Sequence, residues 1–216
     1  MTKLKLSSKA ENIYAHISGN STKLGDLRKI AKEVKRDHDL ALELWATGEF
    51  MPRQMAVLIM DKKQLTQEVI DGLDRDIQTH SHDEQNHLID WLMANQLTKD
   101  KKTVSLIESW QKSHSPLQRR IFWYYQARLR WMGQTPPDNT PTLLSTIESN
   151  ILEEAPQVQW AMNFTAAWIG IYDESYRPRC IAIGKNTGLY KDEVVAKGCT
   201  PSYLPEFIEI EVQKRK

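Results

Sequence analysis

Residues 116–131, PLQRRIFWYYQARLRW, join five aromatic side chains to four arginines without a single acid. On a helical wheel, at about 100° per residue, Arg119, Trp123, Gln126 and Arg130 recur at i, i+4, i+7 and i+11. A guanidinium fork gives phosphate two parallel hydrogen bonds and stays charged. A ring beside it can stack on a base. The stripe therefore fits one wall of a groove for nucleic acid. The alternative is that Arg119 and Arg130 pair with the next helices while Trp123 packs there. Leu117, Ile121, Tyr124, Tyr125 and Met132 share the other arc, the expected core face. Arg128 falls inside that arc and needs a partner or an edge to reach.

Two further stretches carry candidate chemistry. Residues 79–91, THSHDEQNHLIDW, bring His80, His82 and His87 near Asp83. No metal is expected, because HxH on a helix points its rings apart and the spacing is not that of a zinc site. His82, Asn86 and Asp90 instead form a polar stripe at i, i+4 and i+8. Residues 157–172 contain no charge, with Trp160, Phe164, Trp168 and Ile171 on one side, where core packing is expected. The chain shows no GxSxG, no glycine-rich phosphate loop and no placeable nucleophile–base pair, and no cofactor is expected.

The elements that must position these residues read as helices almost throughout. Leu24, Leu27, Ala31 and Val34 form one helical stripe, with Arg28, Lys32, Lys35 and Arg36 opposite. Helices are predicted over 7–17, 22–36, 38–47, 51–60, 66–79, 83–95, 101–112, 116–132, 140–151, 157–172, 175–183 and 203–214. Pro52, Pro116 and Pro156 each open an apolar helix, and another starts near Ser81. This spacing suits paired-helix solenoids such as HEAT repeats. The expectation is one all-α domain over 1–216, an α-α superhelix of HEAT-like helix pairs. The second helix of each pair would line a concave wall.

The 216 residues carry a net charge of +1, with 40% hydrophobic and 26% charged side chains, as a soluble globular domain would. The charge is uneven: 23–36 holds six bases against two acids, and 68–84 holds six acids against Arg75. No run is long enough to span a membrane. The first residues lack the apolar core of an export signal, so a cytoplasmic protein with free Cys180 and Cys199 is expected.

KLGDLRKIAKEVKRDHDLALELWATGEFMPRQMA, 23–56, resembles the N-terminal signature of the AlkD-like DNA alkylation repair proteins. SPLQRRIFWYYQARL resembles the family's later Leu-Gln-Arg helix, and the likeness spans about residues 20–175. It implies HEAT-like pairs holding duplex DNA on a basic concave side. It also implies metal-free excision of N3- and N7-alkylated purines. Arg119 matches the DNA-contacting arginine, and the wall would add Trp123, Arg130, Arg28 and Lys32. Active members show Trp-Asp-x-x-Asp where this chain reads HDEQN. His82 then stands for the Trp, Asp83 matches, and Asn86 replaces the catalytic Asp; a shift of one turn would make Asp90 the carboxylate. Phe164 takes the place of a second cleft Trp. The implied function is DNA binding with weakened or lost excision, the alternative a non-catalytic scaffold for a protein or peptide. Residues 184–216 read as a C-terminal extension or cap.

Overall fold

The computed structural model describes residues 5–18 and 22–215. Among them are twelve α-helices and no strand. The contacts group the chain into two compact units, Met1–Glu108 and Ser109–Lys216.

The first unit holds α1 (Ser8–Ile17), α2 (Leu24–Val34), α3 (His38–Ala46), α4 (Phe50–Ile59), α5 (Gln67–Ile77) and α6 (His82–Asn95). α7 (Lys101–Ser109) closes it. Caps follow the sequence: Asp37 accepts from the Leu40 N–H at 3.2 Å, and Thr66 from that of Val69 at 3.3 Å. α3 pairs with α4, α5 with α6, and the second helices α4 and α6 pack together. Arg53 is buried where α3, α4 and α5 meet. It donates to the Asp76 carbonyl at 2.6 Å and lies over the Trp45 ring, whose indole N–H reaches the Asp76 carboxylate at 2.7 Å. Burial lowers the Arg53 pKa, and Asp76 opposes the effect.

The second unit contains α8 (Pro116–Trp131), α9 (Thr140–Asn150), α10 (Pro156–Tyr172), α11 (Arg177–Thr187) and α12 (Leu204–Gln213). Pro116 and Pro156 stand in the first turns of α8 and α10, as their spacing predicted. Ser115 caps α8 by accepting from the Leu117 and Gln118 N–H groups. α8 and α10, both opened by proline, form the most extensive helix contact of this unit.

The extension is built into the second unit. α12 packs on α10 and α11. Its approach is so close that a Cβ on Gly184 would lie 2.6 Å from Leu204 Cβ and 2.6 Å from Pro205 Cδ. A Cβ on Gly170 would meet Ile208 Cδ1 at 2.9 Å and Cys180 Cβ at 3.1 Å. Cys180 is buried there, and desolvation pushes its thiol up to about 12, which keeps it protonated and inert. Cys199 is a free, exposed thiol.

Gly184→Ala should therefore lower stability by about 1–3 kcal/mol, the usual cost of overpacking. Urea unfolding followed by far-UV circular dichroism reads it. An unchanged midpoint would show that α12 is not seated on this glycine.

Candidate nucleic-acid interface

The expected stripe on α8 is not an open wall. Trp123 is 1% exposed and Arg130 3% exposed. Thr165 of α10 donates its hydroxyl to the Trp123 carbonyl at 2.6 Å. Arg130 donates to the Gln126 carbonyl and to the Thr140 hydroxyl, both at 2.8 Å, and desolvation lowers its pKa. Arg119 clasps Glu154 with two nitrogens, Nη2 to Oε2 at 2.9 Å and Nε to Oε1 at 3.1 Å, and also donates to the Ser113 carbonyl at 2.7 Å. The partners come from neighbouring elements: Thr140 opens α9, Glu154 lies in the turn before α10, and Thr165 is on α10. Arg119 and Trp123 also border a cleft of about 570 Å³ lined mostly by hydroxyl and amide side chains.

Rings and cations do come together, on the opposite arc. Arg120, Tyr124, Arg128 and Trp131 recur along α8 at i, i+4, i+8 and i+11. Arg120, Tyr124 and Trp131 meet Trp160, Phe164 and Trp168 of α10. Trp160 stacks on Phe164 at 5.0 Å and 12°. Tyr124 meets both edge-on, at 5.7 and 5.6 Å. Trp131 stacks on Trp168 at 6.1 Å and 27°. The Arg120 guanidinium sits 4.6 Å from the Trp160 ring centre and donates to the Gln157 carbonyl at 3.1 Å. Tyr124, Arg128, Trp160 and Phe164 are half-buried, and Trp131 and Met132 are exposed. Of the arc expected to be core, Leu117, Ile121 and Tyr125 are buried as expected, whereas Tyr124 is half-buried and Met132 exposed. α12 adds Phe207, 5.9 Å from Phe164, and the turn after it Arg215, 4.8 Å from the Trp168 ring centre.

In the first unit, Arg28 is exposed and lies 5.1 Å from the ring centre of Trp91, whose indole N–H bonds the Gln54 carbonyl at 3.0 Å. His87 bridges Trp91 and Phe50 on α6 and α4, at 6.4 and 5.4 Å. Lys32, one turn beyond Arg28, is exposed. On α6, Asp83, Asn86 and Asp90 share one arc at i, i+3 and i+7. Asp83 and His82 are exposed, and Asn86 and Asp90 are half-buried. His80 is instead held by Glu84 at 3.0 Å. Among the described residues, no three His, Cys, Asp or Glu side chains converge as metal ligands.

The family model described as DNA alkylation repair enzyme matches residues 17–179. The chain belongs to that family. A solved structure described as "A new family of proteins related to the HEAT-like repeat DNA glycosylases with affinity for branched DNA structures" is similar to it at 21% identity. The match has a TM-score of 0.66 and covers 97% of this chain and 88% of that one. The fold is therefore all-α and HEAT-like. No curated protein matches.

Within this DNA alkylation repair family member, the matched segment ends two residues after α11 begins. α12 and the turn after it lie wholly beyond it, yet supply Phe207 and Arg215 to the ring cluster. Sequence reasoning missed Trp91, Phe50, Arg120, Trp131 and Trp168 as site residues. The four-residue recurrence on α8 and α10 was a visible signal for three of them. Nothing in the sequence signalled Arg215.

Glu154→Gln should cost about 1–2 kcal/mol, between an exposed ion pair and a buried one. Thermal unfolding measures this. A variant as stable as the parent would return Arg119 to the set of available cations.

Proposed function

We propose that this protein binds duplex DNA, including distorted or alkylated duplex, through the ring-and-arginine face of α8 and α10 and through Arg28 and Lys32 of α2. The observation that carries the reading is the half-open row Tyr124, Trp160 and Phe164, with the half-buried Arg128 one turn beyond Tyr124 and Arg120, 5% exposed, held against the Trp160 ring. α8 and α10 hold no acidic residue, so nothing on either helix repels phosphate. Family membership and the affinity for branched DNA ascribed to the similar structure support it. The protein would work in the cytoplasm, where reducing conditions keep both cysteines as thiols.

Excision, if retained, belongs to α6. Breaking the bond from sugar C1′ to an alkylated purine sends the electron pair to the cationic base, which leaves neutral. Water then adds to C1′ and gives up a proton. A carboxylate stabilises the charge building on the sugar and can accept that proton. Asn86 can orient the water but supplies no negative charge. Asp83 and Asp90 flank it by about one turn on either side. His82, beside them, would repel a cationic lesion when protonated.

A protein-binding scaffold is the second reading. It is favoured by the Arg119–Glu154 pair, which neutralises the cation most like a phosphate ligand in the sequence.

DNA affinity should fall as salt rises, because counterions are released. Arg128→Ala should flatten the slope of log K against log salt by roughly 1, and Arg28→Ala with Lys32→Ala by roughly 2. Fluorescence anisotropy over a salt series checks both. Salt-independent binding, or slopes unmoved in both variants, would replace the DNA reading with the scaffold.

Release of 3- and 7-methylpurines from methylated DNA should stay near the spontaneous rate in the wild type. It should rise by about a hundredfold in Asn86→Asp, the scale of one restored electrostatic contact. No rise would remove α6 as a catalytic helix.

A further inference from the structure

The ring row does not stop at Phe164. Trp131, at the last turn of α8, is 47% exposed and stacked on Trp168, which is 6% exposed. The Trp168 indole N–H is buried without a hydrogen-bond partner, so packing alone holds that ring. The Arg215 guanidinium lies over it, tethered by Glu211 through Nη1 to Oε2 at 2.7 Å. Glu211 is shared with Lys214 at 2.8 Å, so this end of α12 keeps a net positive charge. Arg128 stands three residues before Trp131 on the same side of α8. The result is a flat exposed indole, stiffened from behind by a second indole and bordered by guanidinium groups.

We infer that Trp131 is a stacking platform for an unpaired nucleobase, with Arg128 and Arg215 gripping the adjoining phosphates. The inference rests on the reading that the chain binds DNA. Paired bases inside a duplex have both faces covered by their neighbours. A protein ring can lie flat only on a base that has left the stack or ends it. A base on an aromatic side chain contributes affinity whatever its identity, because each base has a π-face. An apolar peptide would use the ring equally well, but it would have no use for Arg128 on the acid-free α8 or for Arg215 beside it. The C-terminal extension is then part of the binding surface, since Arg215 lies beyond the family-matched segment.

The test uses the full chain and two DNA duplexes, one fully paired and one with a single 2-aminopurine bulge. Wild type should bind the bulged duplex more tightly and quench 2-aminopurine, whose fluorescence falls on stacking. Trp131→Ala should abolish the quenching and weaken bulge binding by about 5- to 100-fold, the range of one base–ring stack. It should weaken paired-duplex binding far less than bulge binding, and Trp131→Phe should restore most of the bulge preference. Arg215→Ala should weaken bulge binding and lower its salt slope by roughly 1. Equal loss on both duplexes, or no bulge preference in the wild type, overturns this inference and leaves DNA binding intact. A lower oligomer mass for Trp131→Ala in sedimentation would make the indole a contact between copies, and also overturns it. Failure of the wild type to bind either duplex overturns the DNA reading itself.

Discussion

A guanidinium inside a stack of helices has to be met by oxygen atoms or by the face of a ring, and this requirement organises the second unit. α8 carries four arginines, and three are taken up by neighbours. Arg119 has the Glu154 carboxylate, Arg130 a carbonyl and a hydroxyl, and Arg120 a carbonyl and an indole. Removing any of these partners would leave charge buried without compensation, which costs far more than losing an ordinary contact. Their demands fix the rotation of α8 against the α9–α10 pair. That rotation decides which rings are sealed and which are open: Trp123 is enclosed, and Tyr124 and Trp131 are left at the surface.

The open row shows how a helix without charge can still be functional. α10 has no ionisable group before its final tyrosine, which usually marks a helix buried on all sides. Here α8 and α12 cover much of it, yet Trp160 and Phe164 remain half-exposed. Edge-on and stacked ring contacts keep these large side chains in fixed orientations. The cations come from α8 and the turn after α12, so the polar and apolar halves of the surface belong to different elements. In the first unit the division recurs, with Arg28 of α2 brought over Trp91 of α6.

The helices were legible in the sequence because periodicity and turn chemistry are local. The reading of 83–95 meets a helix at His82–Asn95, and that of 116–132 one at Pro116–Trp131. The pairing was legible too, through the proline spacing. The orientation of α8 was not. Both of its faces carry rings and arginines, so a wheel separates them without saying which is covered. The deciding groups, Thr140 and Glu154, lie on the neighbouring pair and carry no mark of their role. For the same reason Arg119 reads as a phosphate ligand in sequence and stands as half of an ion pair in the fold. On α6, by contrast, the stripe read as His82, Asn86 and Asp90 needs only one helix to align it, and there His82 is exposed while Asn86 and Asp90 are half-buried.

The seating of α12 leaves a trace in the rest of the chain. Gly170 and Gly184 sit inside helices, where glycine weakens the backbone relative to alanine by roughly 1 kcal/mol. Gly184 offers its hollow to Leu204 and Pro205, and Gly170 offers one to Ile208 beside Cys180 of α11. A relative that lacks the final helix has no such reason to keep small residues there and is free to regain a methyl group. Gly184 is thus a trace of the tail, left in a helix that begins inside the family-matched segment.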